Sequence, residues 1–137
     1  MRFMMMIKHT EDRKALPKEL SDAIAKTTEG GKAPIIVASG ALAPTAASSR
    51  VRISGGQLTV TDGPFMETKE VVGGFAILEF QSREEAVESA RQYMELYRKH
   101  WPGWEGETEV RQVYGPEDYT VEASQPDLTP QGQREAE

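Results

Sequence analysis

The densest group of side chains able to do chemistry is the segment Thr61-Asp62-Gly63-Pro64-Phe65-Met66-Glu67-Thr68-Lys69-Glu70, with three carboxylates and one ammonium beside a Gly-Pro turn. Gly63 permits positive φ, Pro64 fixes φ and Asp62 can bond its own downstream amides, so this loop can hold a stiff, defined shape. Rigid loops are good platforms for function. In a catalytic reading Asp62, Glu67 and Glu70 move protons while Lys69 polarises a substrate, with Gly63, Pro64, Phe65 and Thr68 contacting the ligand. In a structural reading the same residues form an Asx-type turn with a solvated charge pair. The three carboxylates would also suit a hard cation. Lys69 competes with one, however, and the spacing matches no cation loop, so no metal is expected. His9 is a further candidate base: at the end of a central strand it can face the cleft of the Asp62 loop, where a carboxylate would tune it. A strand-end histidine bonded to backbone or water is the plainer alternative.

Other residues carry weaker signals. His100 falls in the last turn of a helix, where a cation suits the helix dipole. Tyr93, Tyr97, Trp101 and Trp104 can wall an aromatic pocket or simply fill a core. Arg50 and Arg52 can bind an anion or form a solvated strand face.

Much chemistry is excluded. The 137 residues suffice for one domain with one core, which rules out a two-domain cofactor enzyme. There is no cysteine, so disulfides, thiolate nucleophiles, zinc fingers and iron–sulfur clusters are absent. No phosphate loop, nucleophile elbow or dinucleotide fingerprint is present, and no cofactor is expected. The net charge of −6 is unevenly spread: residues 1–114 hold 15 Lys/Arg against 16 Asp/Glu, whereas 115–137 hold Arg134 against six acids. A near-neutral body without a basic stripe lacks the attraction that dominates nucleic-acid binding. The first apolar run, 3–7, is far too short to span a bilayer or to serve as a secretory core, so neither export nor a membrane partner is expected and the cytoplasm is favoured.

These candidates need elements to position them. Residues 2–8 read as a first strand, and 17–29 as an amphipathic helix opened by Pro17 and stopped by Gly30-Gly31. Residues 35–42 are β-branched and apolar without alternation, which predicts a strand covered on both faces and inside the sheet. Gly55-Gly56 predicts a tight hairpin turn over 51–60, with Ile53 opposite Leu58 and Val51 opposite Val60 on a core face and arginines, serine and threonines on a polar one. Residues 74–80 form a strand apolar on both parities. Ser82 and Glu85 then make a capping box for a helix with the stripe Ala86, Ala90, Tyr93, Met94 and Tyr97. Residues 107–114 suit an edge strand.

The order β-α-β-β-β-α-β is an α+β, ferredoxin-like split β-α-β sandwich with an extra hairpin. A domain over 1–119 is followed by an acidic tail, 120–137, whose last dozen residues are too polar and proline-rich to offset their ordering entropy, and are expected to be disordered. Two helices cover one sheet face, yet the central strands are apolar on both. At least six apolar side chains need another cover, worth roughly 9–18 kcal/mol gross, and a symmetric homodimer supplies it most simply. The alternative is that the hairpin and tail fold over that face.

The loop Val60-Thr61-Asp62-Gly63-Pro64-Phe65 followed by Glu67-Thr68-Lys69-Glu70 resembles the signature of the DGPF-type YCII-related proteins. Ser39-Gly40-Ala41-Leu42 with Pro44, the 51–56 hairpin strand, Gly73-Gly74-Phe75, the 82–86 helix start and Glu109-Val110-Arg111-Gln112-Val113-Tyr114 match that family in order and spacing, and the resemblance spans about residues 2–119. It implies the dimeric α/β-barrel version of the fold. Most such proteins have no established activity. A few accompany extracytoplasmic-function sigma factors, which implies a regulatory or stress-signalling role. Some YCII-like proteins are small-molecule lyases thought to use a His-Asp dyad whose histidine comes from the first helix, but 17–29 here contains no histidine. Three readings follow: a small-molecule-binding regulatory domain, a cofactor-free lyase or isomerase of a small organic acid working through the Asp62 loop, or a loop that only buttresses a dimer.

Overall fold

A computed structural model describes residues 1–10, 15–27, 29, 34–65, 70–116, 120–122 and 125–127. The chain runs β1 (Arg2–His9), α1 (Lys18–Thr27), β2 (Ile35–Ala41), β3 (Ser49–Ser54), β4 (Gln57–Asp62), β5 (Val71–Glu79), α2 (Arg83–His100) and β6 (Gly106–Val113). A short hairpin follows, β7 (Thr120–Glu122) with β8 (Gln125–Asp127); the rest of the tail lies outside the described residues. The main sheet has the order β2-β5-β1-β6, every neighbouring pair antiparallel. Antiparallel sheet, two helices and this order make an α+β fold compatible with the ferredoxin-like split β-α-β, the β3–β4 hairpin being inserted between the second and third strands of the unit.

Directly opposed residues share a face, so the register shows what each side of the sheet carries. Phe3 and Met5 of β1 oppose Leu78 and Ala76 of β5. They turn toward the helices, where Phe3, Met5, Leu78, Leu20, Ala86, Ala90 and Tyr97 are buried, Phe3 to 1% exposure. The predicted α2 stripe therefore holds, with Tyr93 and Met94 half-buried beside it. Ser82 caps α2 by accepting the Glu85 amide at 3.2 Å, while the Glu85 carboxylate reaches one residue further back than a capping box requires, accepting the Gln81 amide at 2.9 Å.

The other face bears Met4 and Met6 opposite Ile77 and Phe75, all half-buried. Ion pairs flank them: Arg2 with Glu79, and Lys8 and Arg111 with Glu109. Lys8 donates to Glu109 at 2.7 Å, which holds the Glu109 carboxyl below and the Lys8 ammonium above their ordinary ranges.

Two expectations fail. The strand predicted to lie inside the sheet, β2, is an edge strand whose seven residues are all exposed. Apolarity on both parities reads as burial, but α1 packs chiefly on α2 and does not close over this edge. The hairpin has the predicted register, Ile53 to Leu58 and Val51 to Val60, and its turn glycines have φ of 59° and 77°. Its predicted core face is nevertheless bare, with Val51 at 71%, Ile53 at 72%, Leu58 at 71% and Val60 at 69% exposure. Among the described residues the hairpin pairs only with itself, and those side chains find no cover there. The alternative to a dimer had the hairpin and the tail fold over the helix-free face; the hairpin's bare apolar side supplies no such cover, and most of the tail lies outside the described residues.

Candidate functional site

The acidic loop is built into the base of the hairpin. Asp62 closes β4 opposite Ser49, whose hydroxyl donates to Asp62 Oδ1 at 2.6 Å. The next amide, Gly63 N–H, donates to the Ser48 carbonyl at 2.8 Å, and Ser48 itself ends a tight turn of Thr45–Ala47. A Cβ on Gly63 would stand 1.6 Å from the Thr45 carbonyl oxygen, so no other residue fits this approach. The Gly63-Pro64 bond is cis, and the Arg50 guanidinium lies over the Phe65 ring at 3.7 Å. Asp62, Gly63, Pro64 and Phe65 thus face their own turn and hairpin. Glu70 is exposed just ahead of β5, whereas Glu67, Thr68 and Lys69 lie outside the described residues.

The cavity is elsewhere. About 1590 Å³ opens between α1, α2 and the helix-facing side of the sheet. Local sequence explains the space: beyond Ile36 and Leu78 on the β2–β5 half, the positions facing the helices are Ser39, Ala41, Gly74 and Ala76, too small to fill the gap beneath α1. The floor continues through Met5, Ile7 and Leu78, while Ile24 of α1 and Leu96 of α2 form the opposite wall. Three acids at the start of α2, Glu84, Glu85 and Glu88, border it, and no lysine or arginine among the described residues does.

One end is aromatic. Tyr97 lies 4.6 Å from Trp104 and 5.3 Å from Tyr93, centroid to centroid, and stacks on Trp101 at 6.4 Å. Burial, with the hydroxyl of Tyr93 at 3.4 Å, pushes the Tyr97 phenol above its ordinary range, so it remains protonated. Both readings of these rings apply: Tyr97 is core at 6% exposure, and all four also line the cavity.

His9 belongs to this end. As the last residue of β1 it shares the helix-facing parity of Met5 and Ile7, and its ring is 6.4 Å from Trp104. It is seated by a β-bulge: Ile7 pairs with Gly74 and Lys8 with Val72, leaving Gly73 unpaired between them. A Cβ on Gly73 would fall 2.1 Å from His9 Nε2, so the ring occupies the space a side chain would need. His9 therefore lines the cavity and Asp62 does not; the two are not brought together at one site. The sequence reading missed the cavity floor. Its available signals were the Gly73-Gly74 pair inside a strand, which marks a bulge, and the small residues on β2.

Fold and site together define a small α+β domain with an apolar, aromatic-ended cavity open between its helices and its sheet. A family model for the YCII-related domain matches residues 1–95, β1 through most of α2, and the chain belongs to that family. An uncharacterized protein of Rhizobium meliloti (strain 1021) is 37% identical over 81 residues, covering 59% of this chain and 63% of that relative. Tyr97, Trp101 and Trp104 lie beyond the family match. No described helix is long and apolar enough to cross a membrane.

Proposed function

We propose that this protein is a homodimeric, cytoplasmic small-molecule-binding domain of the DGPF type whose ligand occupies the cavity between α1, α2 and the sheet. The cavity carries this reading: 1590 Å³ of mostly apolar space with an aromatic end and one imidazole suits an uncharged organic molecule. Dimerisation is supported by the apolar helix-free sheet face and the bare hairpin face, which a second copy would cover. A regulatory role tied to extracytoplasmic-function sigma factors rests on the resemblance of the Asp62 loop alone.

The acid–base reading has less behind it. Asp62 is engaged with Ser49, and the described lining residues include no lysine or arginine to hold an organic acid. A thermal-shift metabolite screen on wild type, Asp62→Ala and Ser39→Phe separates the two. Ser39 lines the cavity from an exposed edge strand, so a phenyl group there fills space without entering the core. Hits kept by Asp62→Ala and lost in Ser39→Phe support the cavity. The reverse pattern transfers the site to the loop, and a wild type without hits refutes the binding reading.

A further inference from the structure

Building on the cavity reading, we propose that His9 is the hydrogen-bond acceptor that anchors the ligand, and that the ligand is a planar aromatic molecule bearing a neutral O–H or N–H donor. The tautomer follows from one contact. His9 Nδ1 lies 2.7 Å from the Thr10 carbonyl oxygen, which can only accept, so in the neutral ring Nδ1 carries the proton and Nε2 the lone pair. Nε2 has no hydrogen-bond partner among the described residues, and it is the ring atom closest over Gly73, in the cavity wall. The bulge glycine and the Thr10 carbonyl thus fix a basic nitrogen at the aromatic end of the cavity, where the His9 ring lies 6.4 Å from Trp104, itself packed on Tyr97. A flat ring stacked there can direct a donor to Nε2.

The charge of the ligand follows from the rest of the lining. No lysine or arginine among the described residues lines the cavity, and of the three exposed acids at its border Glu88 is already paired with Arg91 at 2.7 Å. The lining thus offers a carboxylate no cation, whereas a neutral donor needs none. Both tryptophans of the chain, Trp101 and Trp104, line the cavity, so intrinsic emission reports its occupancy.

The test uses three naphthalenes of similar shape at a pH where an imidazole is neutral: 2-naphthol, 2-methoxynaphthalene and 2-naphthoate, titrated against tryptophan emission with free tryptophan as the inner-filter control. Wild type is expected to bind 2-naphthol about fivefold more tightly than 2-methoxynaphthalene, the worth of one neutral hydrogen bond, and 2-naphthoate more weakly than either. His9→Phe, a ring of similar size over Gly73, should lose the preference for naphthol over methoxynaphthalene. His9→Gln, which retains an acceptor, should recover part of it and guards against misfolding of the first variant. Equal binding of naphthol and methoxynaphthalene by wild type, or a preference that survives in His9→Phe, would overturn the role of His9, and naphthoate binding as tightly as naphthol would overturn the neutral-ligand assignment, each leaving the cavity reading intact. Failure of all three probes to quench wild type would overturn both.

Discussion

The bare hairpin makes the dimer quantitatively testable. In the double variant Ile53→Ser/Leu58→Ser, two side chains that are 72% and 71% exposed in the protomer become polar. Full burial of such a side chain is worth about 1.5–3 kcal/mol, so about 1–2 kcal/mol per side chain remains to be gained when a partner covers it. A two-fold dimer contains each position twice, and four lost side chains weaken association by about 4–8 kcal/mol, or roughly a thousandfold to a millionfold in Kd. The protomer should change by about 1 kcal/mol or less, the worth of the exposed Ile53–Leu58 cross-strand pair. Sedimentation velocity across a dilution series reads the first quantity and urea denaturation under monomeric conditions the second. A wild type monomeric at micromolar concentration, or a variant that dimerises as tightly as wild type, would refute the reasoning; a variant that loses more protomer stability than this would show that the hairpin is covered within its own chain.

Three further outcomes follow from the same geometry. Gly63→Ala must push its new methyl into the Thr45 carbonyl, and the overpacking should cost about 1–3 kcal/mol in urea denaturation; an unchanged midpoint would show that the loop is not held against that turn. Phe3→Ala, at the fully buried helix-facing position, should cost about 3–5 kcal/mol, whereas Met4→Ala on the opposite face of the same strand should change the monomer far less. The Lys8–Glu109 pair shapes the pH profile. Because the Glu109 carboxyl is lowered on folding, its contribution is present above the ordinary carboxylate value of 4.5 and lost as pH falls below it. Because the Lys8 ammonium is raised, its contribution is complete below 10.5 and lost as pH rises beyond. The difference in Tm between wild type and Lys8→Met should therefore plateau between these limits and shrink outside them.

Local signals carried a good deal of this molecule. Two adjacent glycines between alternating strands specified the hairpin and its register, because a two-residue turn with positive φ at both positions admits little else. Ser82 and the spacing of Ala86, Ala90 and Tyr97 defined α2 and its buried face. The element order, read along the chain, narrowed the topology to the split β-α-β class, since the connection rules leave few ways to assemble β-α-β-β-α-β, but it did not place β2 at the sheet edge.

What could not be read locally was which apolar surface is covered, and by what. Residues 35–41 and the hairpin both looked like core, since hydropathy records a demand for burial but not whether the same chain meets it. The functional candidates divided in the same way. The Asp62 loop stood out for its charge density, yet a carboxylate at a hairpin base is satisfied by the serine across from it, a pairing that depends on register. His9 and the rings of α2 are far apart in sequence, and only the packing of helices over a sheet lined there with Ser39, Ala41, Gly74 and Ala76 leaves a cavity between them. Turns and caps follow from interactions a few residues apart and were determined by the sequence alone. The cavity is the space left when distant surfaces meet incompletely, and only the tertiary structure decides its place.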